Sequence, residues 1–333
     1  MARGRILSGM RPTGQLHLGN YTGALENWVT LQDTFDTFFM VADWHALTTD
    51  VGHARLMRER TFDMVADWLA AGIDPSRSPV FVQSHVPQHA ELHLIFSMFI
   101  TVARLERNPS VKEQARDLGL EDSMTYGHLG YPVLQAADIL LYQANLVPVG
   151  EDQVPHVEIT REIARRFNGI FTRTDTGPVF PEPEARLTKF MRFPGLDGKR
   201  MSKSAGNVVL LGDGPDEIKK KIRTAYTDPG KLRKNDPGDP EASGCVVYSW
   251  HGRFNSEEQP GILADCKAGT LGCVDCKNRL SERLSAHFEA FRARRAELVA
   301  RPEEVWGALE AGATQARQEA ARTLGDVHEA MGF

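Results

Sequence analysis

The first 170 residues alternate between two kinds of segment, and that alternation constrains the fold more than any other feature. RILS at 5–8, TFFMVAD at 37–43, PVFVQS at 79–84 and LVPVG at 146–150 are short, largely apolar runs. Such runs read as buried strands. Between them the spacing is helical. In GNYTGALENWVTLQ, Ala24, Trp28 and Leu31 share one face. Further helices are expected over 53–70, stopped by Gly72, from about residue 88, and over 131–144 with Pro132 in the first turn. EDQVPHVEITREIARRF reads helical again. Strand and crossover helix in turn dictate a parallel sheet with helices on both faces, an α/β fold of Rossmann type. Ligands bind such sheets beyond the carboxyl ends of the strands. Past about residue 205 the alternation stops. The remainder of the chain reads as helical apart from a loop-rich stretch at 228–278. The expected division is a sheet domain over 1–205, an appended all-helical region over 206–300, and a C-terminal helix over 301–333 that packs back on the first domain.

At 333 residues and 41% hydrophobic the chain can bury a real core. No apolar run approaches the ~18 residues that a membrane span needs. MARGRILSGM lacks the apolar centre of a signal peptide, so a cytoplasmic protein with no membrane partner is expected. The net charge of −5 does not advertise nucleic acid. Its distribution is uneven, however. Lys219, Lys220, Lys221, Arg223, Lys231, Arg233 and Lys234 face a single acid, Asp228, in one short segment. A local basic face can bind phosphates on an acidic protein.

Two motifs carry the chemistry. HLGN at 17–20 lies in the glycine-rich loop after the first strand, where a parallel sheet presents its ligand site. GKRMSKSAGN at 198–207 is a glycine-flanked loop in which Arg200 and Lys203 place two cations beside the hydroxyls of Ser202 and Ser204. Such a loop can close over a triphosphate and neutralise developing charge. HLGN alone is a weak signal and RMSKS alone a moderately specific one. In this order and context the pair resembles the two signature motifs of class I aminoacyl-tRNA synthetases, with HLGN for the family's HIGH and RMSKS for its KMSKS.

The segment YPVLQAADILLY, 131–142, sets Tyr131, Gln135, Asp138 and Tyr142 at helical spacing on one face among apolar neighbours. A carboxylate there needs a partner, and an indole N–H, which only donates, is a fitting one. HLGN followed by YTGAL, then YPVLQAADILLY and VPVGEDQVPHVEITREIARRF, resembles the tryptophanyl-tRNA synthetase family over nearly the whole chain. That resemblance implies a role for each matching residue. Asp138 holds the indole nitrogen, Tyr131 and Gln153 hold the substrate ammonium, and Leu7, His45, Val147 and Val149 wall the pocket, with Gln135 on the same helix face. Gly19, Asn20, Gly150, Glu151 and Asp152 hold ATP, Arg11, Pro12 and Thr13 lie beside its phosphates, and Phe190 and Met191 lie near adenine. Arg200, Met201, Ser202, Lys203 and Ser204 form the mobile ATP loop. His17, Asn20 and Lys203 stabilise the transition state as tryptophan attacks ATP, with Mg²⁺ accompanying the phosphates. The product passes to tRNA(Trp), and the family's dimeric habit implies a homodimer. Three positions depart from the family's usual wording: Gln135 stands for a methionine, Arg11 for a glutamine, and Arg200 for the first lysine of the loop. Glutamine at 135 also keeps the tyrosine enzymes as an alternative. A synthetase-like tryptophan-binding module and a nucleotidyltransferase without tRNA are the rivals of other classes.

The four cysteines, Cys245, Cys266, Cys273 and Cys276, form C-x20-C-x6-C-x2-C. In a cytosolic chain such clustering points to a metal site, either zinc or an iron–sulfur group. The wording TDPG before and GTLGCVDCKNRL after resembles the iron–sulfur-containing subset of the same family. It implies a [4Fe–4S] cluster with a structural role near the anticodon, and Zn²⁺ as the alternative.

Overall fold

The computed structural model describes residues 4–150, 153–171, 177–187 and 193–333. Five strands, β1 (Arg5–Met10), β2 (Asp36–Val41), β3 (Val80–Val82), β4 (Leu146–Val149) and β5 (Glu184–Leu187), form one sheet in the order β3-β2-β1-β4-β5. Every pairing is parallel, with Ile6 opposite both Thr37 and Leu146. In β2, Phe38 and Met40 pack into one core and Phe39 and Val41 into a second. This period-two split between two buried faces is why β2 reads as a continuous apolar run.

The chain runs from β1 outward through β2 to β3 and then crosses to β4 on the other side of β1. The crevice between the carboxyl ends of β1 and β4 is therefore the topological switch point. The helix Tyr126–Leu141 lies behind it. Sequence spacing puts Pro132 in the first turn of this helix. The helix instead begins earlier, where the Thr125 side chain caps the His128 N–H at 3.1 Å, and Pro132 lies inside it.

Beyond the sheet the chain is helical, with helices Pro215–Arg223, Val246–Phe254, Gln259–Ala268, Cys273–His287, Glu289–Ala300 and Pro302–Met331. The stretch expected to be loop-rich thus holds two complete helices and the start of a third. The last helix lies on β3 so closely that a Cβ on Gly312 would come within 2.0 Å of the Val80 carbonyl oxygen. No helix among the described residues is long and apolar enough to cross a membrane.

Candidate active site

A cavity of about 360 Å³ opens at the switch point. Leu7 of β1 and Val147 and Val149 of β4 wall it, with Gly150 at its edge. His45, Tyr131, Gln135, Asp138, Gln153 and Arg11 complete the predicted residues that border it. Strands β1 and β4, one face of the helix Tyr126–Leu141, His45 of the helix Asp43–Asp50 and Gln153 ahead of the helix Val154–Ile170 thus bring all eight residues expected around an amino acid to one space. Tyr142, expected on the same helix face, does not join them. It caps the helix C-terminus, is fully buried, and meets His89 Nε2 through its hydroxyl at 2.8 Å.

Asp138 is 2% exposed and fully engaged at its base. Oδ1 accepts Gln83 Nε2–H at 2.8 Å and faces His89 Nδ1 at 2.6 Å, and Oδ2 faces His45 Nε2 at 2.7 Å. Burial alone would push this carboxyl up. The hydrogen bonds and positive charge of His45 and His89 outweigh it and hold Asp138 well below the usual carboxylate range. An ionised carboxylate only accepts, so the nitrogens facing it, His45 Nε2 and His89 Nδ1, carry protons. At the other end of the cavity Tyr131 Oη meets His156 Nε2 at 2.9 Å, and His156 Nδ1 meets Gln153 Oε1 at 3.0 Å. Gln83, His89 and His156 have no part in the sequence reading. The one signal for the first two was polar residues directly after a strand, in QSHVPQHA.

In the loop after β1, His17 caps a short helical turn, Leu18–Asn20. Its Nδ1 accepts the Asn20 N–H at 3.3 Å, and its own N–H donates to Asn20 Oδ1 at 3.1 Å. Burial, followed by the nearby charges of Lys203 and Arg200, lowers His17 to about 4. The ring is neutral at pH 7, and with Nδ1 accepting, the proton sits on Nε2. His17 is then a hydrogen-bond donor without a charge.

The second loop rests directly on the first. Lys203 Nζ donates to the Thr13 carbonyl at 2.6 Å, and the Gly19 N–H points at Met201 Sδ at 3.2 Å. A Cβ on Gly19 would press on the His17 ring at 3.1 Å and on Met201 at 3.3 Å, so glycine lets the two motifs meet. Ser202 and Ser204 share a hydroxyl contact at 2.7 Å, and Asn207 braces the loop through the Ser202 N–H at 2.8 Å and the Arg200 carbonyl at 3.0 Å. Arg11 bonds the Ala46 carbonyl at 3.2 Å and the Thr49 hydroxyl. Beside it Pro12 is buried and Thr13 exposed. Glu151, Asp152, Phe190 and Met191, expected at the nucleotide, lie outside the described residues.

Cys245, Cys266, Cys273 and Cys276 are free thiols that border one cavity, with Lys231, Ile262 and Leu271. Burial and then the other three sulfurs push Cys276 up to about 12. The expected metal centre is not formed as such: among the described residues no group of three or more His, Cys, Asp or Glu is arranged to hold an ion. Neutral thiols avoid one another's charge, whereas ligated thiolates need a cation between them. Of the seven cations in the basic segment, five face solvent. Lys221 instead pairs with Asp213 at 2.6 Å, and buried Lys231 reaches the Asp236 carbonyl.

Comparison with known proteins agrees with this geometry. Residues 2–289 match the family described as tRNA synthetases class I (W and Y). The chain is 47% identical to a tryptophan–tRNA ligase of Thermotoga maritima, over 98% of each chain, and 41% identical to one of Aquifex aeolicus, over 98% of this chain and 99% of that one. A Campylobacter jejuni tryptophanyl-tRNA synthetase solved with ADP and tryptophan superposes with a TM-score of 0.87 at 34% identity, over 99% of this chain and 100% of that one.

Proposed function

The chain belongs to the class I tRNA synthetases of tryptophan and tyrosine and is a tryptophan–tRNA ligase; on that premise we propose how its residues divide the work. The observation that carries the assignment of roles is the buried, ionised Asp138 in a cavity walled by Leu7, Val147 and Val149, with His17 and Lys203 in two loops that meet after β1. Asp138 accepts the indole N–H of L-tryptophan. Leu7, His45, Val147 and Val149 enclose the ring, and Gln135 lies along it. Tyr131 and Gln153, aligned by His156, receive the ammonium.

ATP lies against Gly19, Asn20 and Gly150, its phosphates toward Arg11, Pro12 and Thr13 and the Arg200–Ser204 loop, with Mg²⁺ bound to the phosphates. Glu151, Asp152, Phe190 and Met191 complete the nucleotide site. The tryptophan carboxylate attacks the α-phosphorus in line. The bond to the bridging oxygen breaks, and pyrophosphate leaves with that electron pair. His17 donates its Nε2–H and Lys203 its charge to oxygens that become more negative, with Asn20 fixing the His17 ring. No covalent enzyme intermediate is required, so catalysis is positioning plus electrostatics. The 3′ end of tRNA(Trp) then takes the activated carbonyl and AMP leaves. Residues 1–205 carry this chemistry. The helices of 206–300, with Lys219, Lys220, Arg223, Arg233 and Lys234 exposed, receive the anticodon side of the tRNA, and 301–333 packs back on the sheet.

Three further features belong to this reading. Four thiols border one cavity, with Lys231 and Lys277 close by to offset negative charge, and their C-x20-C-x6-C-x2-C spacing, rather than their present arrangement, carries the proposal of a four-thiolate group. Of the candidates we favour [4Fe–4S] over Zn²⁺, as a structural clip. Exposed Leu94 and Met98 at the end of the helix Gln88–Ser97, with exposed Val102 at the start of the next helix, support a homodimer. The absence of any membrane-length apolar helix among the described residues is compatible with a cytoplasmic protein. Pyrophosphate exchange driven by tryptophan and by tyrosine in parallel tests the substrate. Exchange with tyrosine alone would favour the sister specificity that Gln135 suggests, and exchange without tRNA charging would favour a binding module. Iron and acid-labile sulfide near four each per anaerobically purified chain is the expected metal result. One zinc without sulfide, or no metal, would remove the cluster from the account. A solution mass equal to one chain would remove the dimer.

A further inference from the structure

Asp67 is a fully buried carboxylate that adenylate formation, as assigned to the residues around the cavity, does not use. It lies in the helix Met57–Ala70, and its two oxygens serve distant parts of the chain. Oδ2 accepts the backbone N–H of Leu16, the residue before His17, at 2.6 Å. Oδ1 accepts Arg295 Nε–H at 2.6 Å, and Arg295 Nη2 also reaches Asp63 at 2.9 Å. Arg295 stands in the helix Glu289–Ala300 of the C-terminal helical region. The other side of the His17 loop is tied down as well. Leu16 accepts the Leu211 N–H at 2.9 Å, and the Leu18 N–H donates to the Val209 carbonyl at 3.0 Å. Both peptide groups of Leu16 are therefore committed, one through Asp67 to the helical region and one to the segment beyond the Lys203 loop.

A purely stabilising role fits this couple poorly. Burial raises Asp67 to about 6, although the Leu16 N–H and Arg295 both act to lower it. An unfolded aspartate loses its proton near 3.8, so folding stability falls as pH rises from there to about 6. The ionised carboxylate is kept at neutral pH against that cost. We propose that Asp67 and Arg295 are positioning residues for adenylate formation: they tie the C-terminal helical region to the peptide before His17 and so fix where the imidazole meets the nucleotide. The proposal rests on the amino-acid-activating role of the site. A displacement of about 1 Å in such a site can cost about 100-fold in rate.

The test is steady-state pyrophosphate exchange by the full-length protein, wild type against Arg295→Met, Arg295→Lys and Asp67→Asn, each assayed below its own melting temperature. Arg295→Met should lose about tenfold or more in kcat, with KM for the amino acid within about twofold. Arg295→Lys should recover most of the loss, and Asp67→Asn should reproduce it. If Arg295→Met does not fold, Asp67→Asn against Arg295→Lys makes the same comparison. A folded variant that keeps kcat within about twofold overturns the proposal, as does a loss that appears only in KM or only as a lower melting temperature. Wild-type exchange with tyrosine instead of tryptophan would change the substrate but leave this comparison intact, because the same variants are then measured with tyrosine.

Discussion

Asp138→Asn separates the specificity argument from the rest of the site. The change keeps side-chain volume and turns one acceptor oxygen into an NH₂ donor. Asp138 now accepts from Gln83, His89 and His45, at 2.8, 2.6 and 2.7 Å. A carboxylate has about four lone-pair sites, so one remains for the indole N–H. Turned so that its oxygen keeps Gln83 and His89, the asparagine presents its NH₂ to His45 and to the indole, and two donors face a donor. Turned the other way, it loses the two deeper bonds. A hydrogen bond to a charged group is worth about 1.5–3 kcal/mol, so losing the indole bond should lower kcat/KM for tryptophan about 10- to 150-fold. The assay is pyrophosphate exchange with tryptophan and with its benzothiophene counterpart, in which sulfur replaces the N–H. Wild type should prefer tryptophan by roughly that factor, and the variant by about twofold or less. A variant that keeps the wild-type preference would show that Asp138 does not read the N–H. Denaturant unfolding of both proteins fixes the folded fraction and keeps a stability loss from passing as a specificity loss.

Lys203→Ala should cut activation by about 100- to 1000-fold, the range for removing one preorganised charge donor, and leave tryptophan affinity within about twofold; equal losses in a binding titration and in exchange would remove Lys203 from the chemical step. Gly312→Ala should destabilise by about 1–3 kcal/mol through overpacking, because its Cβ meets the Val80 carbonyl; an unchanged denaturant midpoint would mean that the helix is not seated on β3 as described. His17 is lowered from 6.5 to about 4 in the folded chain. Between those values the unfolded state binds a proton that the folded state refuses, so stability falls as pH drops from 6.5 to 4 and is unaffected by this group above 6.5. His17→Gln should therefore show a smaller loss of unfolding midpoint between about pH 7 and about pH 5 than wild type; identical losses would contradict the buried neutral ring.

The sheet was legible because β2 to β4 are largely buried on both faces and so read as apolar runs, while in β1 the buried pair Ile6 and Leu7 carries the signal. β5, EARL, was not: three of its four residues are exposed and it lies at an edge, where nothing demands an apolar sequence. Pro132 misled because a proline marks a first helical turn more often than an interior one, whereas the Thr125 cap set the true start. Glycines and prolines around the cysteines hid the helices Val246–Phe254 and Gln259–Ala268 in the same way. Most of the pocket was readable from β1, β4 and one helix face, with His45 and Gln153 added at two other helices by the family resemblance. Its support was not, since Gln83, His89, His156 and the Asp67–Arg295 pair work through partners up to 228 residues away, and spacing carries no trace of such pairs.

Asp138 alone also cannot explain the choice of tryptophan over tyrosine, because a phenol donates a hydrogen bond as well as an indole does. In the proposed role Asp138 would reject phenylalanine, which would leave a buried acceptor unmatched. Rejection of tyrosine has to come from where the acceptor stands. Asp138 is fixed from behind by three donors and enclosed by Leu7, Val147 and Val149. With the ammonium held at Tyr131 and Gln153, as proposed, a substrate would have to bring its donor to one set depth. The indole nitrogen lies to one side of a bicyclic ring, while the phenol oxygen lies on the axis of a single ring. A rigid acceptor turns that difference in direction into a difference in binding. On this proposal Gln83 and His89, which do not line the cavity, would hold the specificity as much as the carboxylate they support.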